Sequence, residues 1–342
     1  MKKHKIFISI TFMLGIVITF YFFNPFQLLQ DDSSPSPKIE TAINEYPELG
    51  AGFSMKVSNE NIKTDSDIID FFIMESPQDE LTIFFENFYT NSEFVLNLFY
   101  DYQQIDFKVD GHKKTTNYFF ELNENESISI PVILPKTIKA DKSPHKLLVS
   151  IVVAPYYHEK DLKLNSDHYG IVMDYEIEYD GYNSSESFSQ KPEINQPELI
   201  DLPFASALMI NDDLNMNAKV ANNPPHSLSV KPNEEVTLAY RAGPEENATN
   251  YLLTVLIDWK QTLINNNEPF QIINIPDSNK VGYGTFTFIA PNDPGDYELI
   301  AYLIPEPFTR KSDDLFSISS STRFTLSVPQ KNQGYHLMVI KQ

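Results

Sequence analysis

Residues 94–104 read FVLNLFYDYQQ and residues 251–261 read YLLTVLIDWKQ. Aligned without gaps, Leu96 falls on Leu253, Asp101 on Asp258 and Gln104 on Gln261, while Tyr102 meets Trp259 and Asn97 meets Thr254. The surroundings keep step. Upstream, Leu81 to Phe85 matches Val236 to Tyr240, each behind two acidic residues. Downstream, Ser129 to Pro135 matches Thr285 to Pro291. Leu147 to Val153 and Tyr297 to Leu303 then each run into a proline, Pro155 or Pro305, and Ile171 to Tyr179 is followed in the same place by Arg323 to Val328. A single match could be chance. Five matched segments in the same order imply two copies of one structural unit.

The matched segments have the period of strands. Tyr251, Leu253, Val255, Ile257 and Trp259 are large and apolar at every second position, as are Tyr297, Leu299, Ala301 and Leu303. Leu252 and Leu256 interrupt the alternation, so the other face is only partly polar. With Phe 25 and Tyr 18 against Gly 11, the composition also favours strands. Several short strands divided by turn residues predict an all-β chain built of sandwiches.

The second copy resembles the immunoglobulin-like superfamily. Trp259 ends a strand where that fold often keeps a core tryptophan, and Ala290-Pro291-Asn292-Asp293-Pro294-Gly295-Asp296-Tyr297 looks like the turn into its sixth strand. The resemblance implies that Tyr297 is the corner tyrosine, with its hydroxyl bonded back to the main chain. In the first copy Tyr102 replaces the tryptophan, and Leu147 is expected where the corner tyrosine would fall. No cysteine pair joins the sheets. The implied architecture is two tandem immunoglobulin-like β-sandwich domains, at 50–182 and 201–330, joined by a linker rich in Ser, Gln, Glu and Pro at 183–200. Residues 331–342 form a C-terminal extension.

The N-terminus sets the expected location. Met1-Lys2-Lys3-His4-Lys5 precedes an uncharged apolar run from Ile6 to Phe23, and Asp31 and Asp32 follow. As a helix rising about 1.5 Å per residue, that run nearly crosses a hydrocarbon layer of about 30 Å. Basic residues before it and acids after it place the N-terminus inside and the rest outside. Residues 1–30 therefore read as a transmembrane signal anchor, with residues 6–23 in the lipid bilayer. The exit Asn24-Pro25-Phe26-Gln27 lacks the small residues of a cleavage site. A polar, Pro-rich stretch at 31–49 reads as a stalk. An exported chain with no cysteine points to a bacterial, more narrowly a Gram-positive, envelope.

Charge and composition exclude several functions. A formal charge of -21 opposes nucleic-acid binding, which needs cations against phosphates. Without cysteine there is no disulfide, thiolate metal site or cysteine nucleophile. No G-x-S-x-G elbow or phosphate-binding glycine loop occurs, so the expectation is a non-enzyme without cofactor. Asp213-Leu-Asn215-Met-Asn217 opens like a calcium loop but continues to Ala218 and Pro224, where such a loop needs glycine and glutamate. Asp174, Glu176, Glu178 and Asp180 alternate along a strand and read as a solvated edge face, with a bound cation as the sharper alternative. His158 and His168 lie near acids without zinc-like spacing. Asp101 and Asp258 recur ahead of the aromatic and read as a shared structural hydrogen bond.

The remaining candidates lie on loops. Tyr156, Tyr157 and His158 follow Pro155, and Phe308, Thr309 and Arg310 follow Pro305-Glu306-Pro307. Loops at sandwich ends commonly carry recognition. Tyr156, Tyr157, His158, Phe308 and Arg310 are therefore the candidate contact residues for an envelope protein partner, or alternatively for a wall polymer. Packing against a neighbouring loop is the plain structural reading of the same residues.

Overall fold

The computed structural model describes residues 39–40, 52–58, 71–109, 114–162, 169–179, 188, 193–201, 208–214, 225–243, 248–265, 267–310 and 319–330. The expected anchor at 6–23, the C-terminal extension, His168, Asp180 and most of the calcium-like loop lie outside them. Among the described residues no helix is long and apolar enough to cross a membrane.

The chain is all-β. Its first half holds β1 (Ile39–Glu40), β2 (Phe53–Ser58), β3 (Phe71–Met74), β4 (Glu80–Asn87), β5 (Ser92–Tyr100) and β6 (Gln103–Gln104). It continues with β7 (Lys108–Val109), β8 (Asn117–Leu122), β9 (Glu126–Ile133), β10 (His145–Val153), the helix α1 (Glu159–Leu162) and β11 (Gly170–Tyr179). The second half holds β12 (Ile194–Asn195), β13 (Glu198–Ile200), β14 (Leu208–Asn211), β15 (Ser227–Ser229), β16 (Glu235–Ala242) and β17 (Asn250–Ile257). It ends with β18 (Lys260–Gln261), β19 (Phe270–Asn274), β20 (Val281–Ile289), β21 (Gly295–Pro305) and β22 (Ser320–Val328).

These strands form four sheets whose orders repeat between the halves. The first half has β1-β9-β4-β2 and, facing it, β3-β11-β10-β5, with β6 and β8 both on β5. The second has β13-β20-β16-β14 and β15-β22-β21-β17, with β18 and β19 both on β17. Registers repeat too. Leu147 pairs with Tyr100 and Tyr175, and Leu299 pairs with Ile257 and Phe324. The short strand β3 runs parallel to β11, as β15 does to β22. The duplication read from the sequence is thus a duplication of topology, strand for strand; β7 and β12 are the additions.

Each half packs its own core between its two sheets. In the first, Ile83, Phe85, Leu96, Leu98, Ile130, Val149, Ile151 and Ile177 are among the buried members. In the second, Leu238, Leu253, Val255, Phe286, Leu299, Ala301 and Phe324 take the corresponding places. Strand alternation produces this, because successive side chains point to opposite faces.

Five expectations are corrected in place. Trp259 is buried, but not between the sheets of its own sandwich: it belongs to a third apolar cluster drawn from both halves. The repeated register makes His145, not Leu147, the counterpart of Tyr297; Leu147 corresponds to Leu299 and lies in the core. Tyr297 does make the expected corner, its hydroxyl donating to the Asp293 carbonyl at 2.8 Å. Asp174, Glu176 and Glu178 are buried, not a solvated edge, because β11 is flanked by β3 and β10 and covered by the other half. Within the expected linker, β12 pairs with β19 and β13 with β20, so part of it is built into the second half. Likewise Ile39 and Glu40, in the expected stalk, pair with β9.

Candidate functional site

The third cluster lies between the halves. β5 and β10 contribute Val95, Phe99, Leu148 and Val152, and β17 and β21 contribute Leu252, Leu256, Ile300, Tyr302 and Ile304. These residues occupy the strand faces opposite the cores. Under the repeated register Val95 corresponds to Leu252, Phe99 to Leu256, Leu148 to Ile300 and Val152 to Ile304. Each sheet therefore offers the same patch to the other, the signature of a self-complementary, two-fold contact. The described residues from Ile39 onward accordingly fall within one compact unit.

Two hairpin turns pin this contact. The two-residue links Asp101-Tyr102 and Asp258-Trp259 have positive φ at both positions (48 and 63, 46 and 64). Two successive left-handed residues are what a tight turn matching strand twist demands, and non-glycine residues there are unfavourable. The aspartates stabilise the turns. Asp101 accepts from the Lys146 N–H at 3.0 Å and Asp258 from the Glu298 N–H at 2.8 Å. The shared aspartate is a shared structural hydrogen bond, and the turn aims Tyr102 or Trp259 into the interface. Beyond each turn the glutamines clasp reciprocally. The Gln104 N–H donates to Gln261 Oε1 at 2.8 Å, and the Gln261 N–H to Gln104 Oε1 at 2.7 Å. Gln104 Nε2 donates to the Trp259 carbonyl at 2.7 Å, and Gln261 Nε2 to the Tyr102 carbonyl at 2.8 Å. Ser150 and Tyr302, also equivalent positions, share a hydrogen bond of 2.6 Å.

The candidate loops are exchanged across the same contact. Ala154 and Glu306, both with positive φ, open them at the same point of the repeat. From the first loop, the Glu159 N–H donates to Glu298 Oε1 at 3.1 Å and Lys160 pairs with Asp296 at 2.6 Å. His158 Nδ1 lies 3.3 Å from the same Glu298 oxygen. Buried Arg323 holds Glu298 at 2.7 Å and donates to the carbonyls of Val153, Ala154 and Tyr157. From the second loop, the Pro307 carbonyl accepts from the Tyr102 hydroxyl at 2.5 Å, and Phe308 packs edge-on against that ring. Arg310 pairs with Glu178 at 3.1 Å and Glu176 at 3.5 Å.

Buried charge at these two places has definite consequences. Burial raises Glu178 to about 7, against the pull of Arg310 and with the push of Glu176. Burial likewise raises Glu159, which His226 and Arg323 partly offset. Among the described residues no group of three or more His, Asp or Glu is arranged to hold a metal ion.

His158, Phe308 and Arg310 thus face the neighbouring sandwich. Tyr156 and Tyr157 do not: they are 61% and 54% exposed. Tyr156 stacks on Phe119, itself 39% exposed, at 5.3 Å and 18°. Phe119 was not foreseen; on β8 it reads as one more apolar residue of an alternating strand.

No protein-family model and no curated protein matches the chain. Among solved structures, it is similar to the CARDB domain of a Pyrococcus furiosus protein in complex with di-metal ions (14% identity, TM-score 0.22, covering 43% of this chain and 100% of that one). It is similar also to the C-terminal domain of the Streptococcus agalactiae antigen I/II polypeptide BspA (9%, TM-score 0.21, covering 81% and 100%). A third is the E. coli chaperone DraB (10%, TM-score 0.25, covering 80% and 97%). Likeness at this level carries nothing about activity or partner.

Proposed function

We propose that this chain is a membrane-anchored, extracytoplasmic interaction protein whose two immunoglobulin-like sandwiches act as one rigid body. The immunoglobulin-like reading is supported by the corner tyrosine and by the strand orders, in which a four-strand antiparallel order faces a sheet whose edge strand runs parallel to the last strand of its half. The anchor is supported by the apolar run at 6–23 with its basic flank.

The observation that carries the interaction reading is the reciprocal glutamine clasp. A clasp of this kind fixes the halves, and Tyr156, Tyr157 and Phe119 remain exposed on that body. Large aromatics held on a rigid support are favourable anchors for a protein partner, because little side-chain freedom is lost on binding. A photo-crosslinker placed at 157 in intact cells should give one dominant protein adduct. The same group at 308 should give bonds within the chain. Adducts to many proteins alike would refute the reading. The Phe119–Tyr156 stack also favours a second reading, in which the aromatic pair supports a wall polymer. Adducts at 157 to wall glycan alone would select it.

A further inference from the structure

The two halves differ at one place on this face. In the second half Asn250 lies directly opposite Asn274, and Asn274 Nδ2 donates to Asn250 Oδ1 at 3.0 Å. In the first half the corresponding pair is Glu93 opposite Glu121. Two carboxylates facing each other across strands cannot bond to each other as two amides do, and they repel. Among the described residues no lysine or arginine is paired with either, and Glu93 Oε2 is enclosed without a hydrogen-bond partner.

Beside this pair the aromatic position of the loop also differs. Phe308 is covered by Tyr102, Phe270 and Phe188. Its counterpart Tyr156 has Phe119 on one side and is otherwise open. The Ala154 N–H donates to the Glu93 carbonyl at 2.7 Å, and Phe119 lies two residues along β8 from Glu121, so the Tyr156 loop sits beside the pair; burial and the negative charge of Glu93 and Glu121 raise the Tyr156 hydroxyl.

From these differences we propose that Tyr156, Phe119, Glu93 and Glu121 form a binding site for an arginine side chain of a protein partner. The inference rests on the interaction reading above and names the chemistry of its contact. A guanidinium is planar, stacks on an aromatic face and presents several N–H donors at once. It can lie on the exposed Tyr156 ring while its donors reach the exposed Glu121 carboxylate and its charge offsets that of Glu93. An ammonium supplies charge but no stacking plane.

The test uses the full chain and three blocked tripeptides, glycyl-arginyl-glycine, its lysine analogue and its citrulline analogue, titrated with backbone amide shifts as readout. The arginine peptide should saturate amides of β8 and of residues 154–157, with lysine weaker and citrulline inactive. Tyr156→Ala, which leaves the charge unchanged, should weaken binding by about tenfold, the order expected for loss of a stacked cation. The double change Glu93→Asn with Glu121→Asn installs the second half's pair and should abolish binding while the protein stays folded. Glu75→Gln, on an exposed and separate turn, should change nothing. Absence of saturable binding, equal binding of the citrulline peptide, or an equal loss in Glu75→Gln would each overturn the proposal. If the crosslinker at 157 still captures one envelope protein in that case, the interaction reading stands and only the arginine site falls.

Discussion

Replacing Gln104 with alanine removes two hydrogen bonds that cross between the sandwiches, the one accepted from the Gln261 N–H and the one given to the Trp259 carbonyl. Each is part-buried, and a net bond of this kind contributes about 0.5–1.5 kcal/mol, so the loss should be about 1–3 kcal/mol. Gln261→Ala removes the equivalent two on the other side of the two-fold contact and should cost a similar amount. Because the side chains touch, the double variant should depart from the sum of the singles by about 0.5 kcal/mol or more. Urea unfolding gives these values, and amide exchange of β4 and β16 assigns them. The account requires that either substitution lower protection in both strands by the same amount, since the clasp joins both halves into one cooperative body. A loss confined to one half, or strict additivity of the two substitutions, would show that the sandwiches unfold independently and that the clasp is incidental.

Other outcomes follow from the same contacts. Trp259→Ala empties a buried ring site beside Arg323 and should cost about 3–5 kcal/mol by circular-dichroism melting, with both halves affected because the ring belongs to the shared cluster. Glu178 is held near 7 when folded, above its ordinary 4.5. A raised carboxyl stabilises the fold while protonated, so this contribution is complete below about pH 4.5 and is lost as pH rises through about 7, by at most about 1.4 kcal/mol per pH unit. Glu178→Gln should flatten that part of the stability profile, whereas an unchanged profile would show that another group sets it. Tyr297→Phe removes the corner hydrogen bond and should lower stability by about 0.5–1.5 kcal/mol in chemical denaturation, with the fold retained.

Much of this was legible in the residues, and the parts that were not share a physical cause. Matched segments disclosed the duplication because equivalent strands bury equivalent faces. Tyr297 was legible because its partner, the Asp293 carbonyl, is local in sequence. Leu252 and Leu256 blurred the alternation of β17, and Leu148 and Val152 did the same in β10. Those interruptions were the signal of a second buried face, which a sandwich considered alone does not have. Trp259 was placed in the wrong cluster for the same reason: periodicity says that a residue is buried, not against what. The acids of β11 read as solvated because charge normally is; Arg310, far along the chain, supplies the compensation. The loops were singled out as contact loops for a partner, and three of their five candidate residues, His158, Phe308 and Arg310, contact the other half of the same molecule.

Residual dipolar couplings from backbone amides of both sandwiches test the central claim most directly. One alignment tensor, equal in magnitude and orientation for β4, β5, β9 and β10 and for β16, β17, β20 and β21, is the result expected of a single rigid body. Two tensors of different magnitude would mean that the sandwiches reorient separately, and would contradict the account.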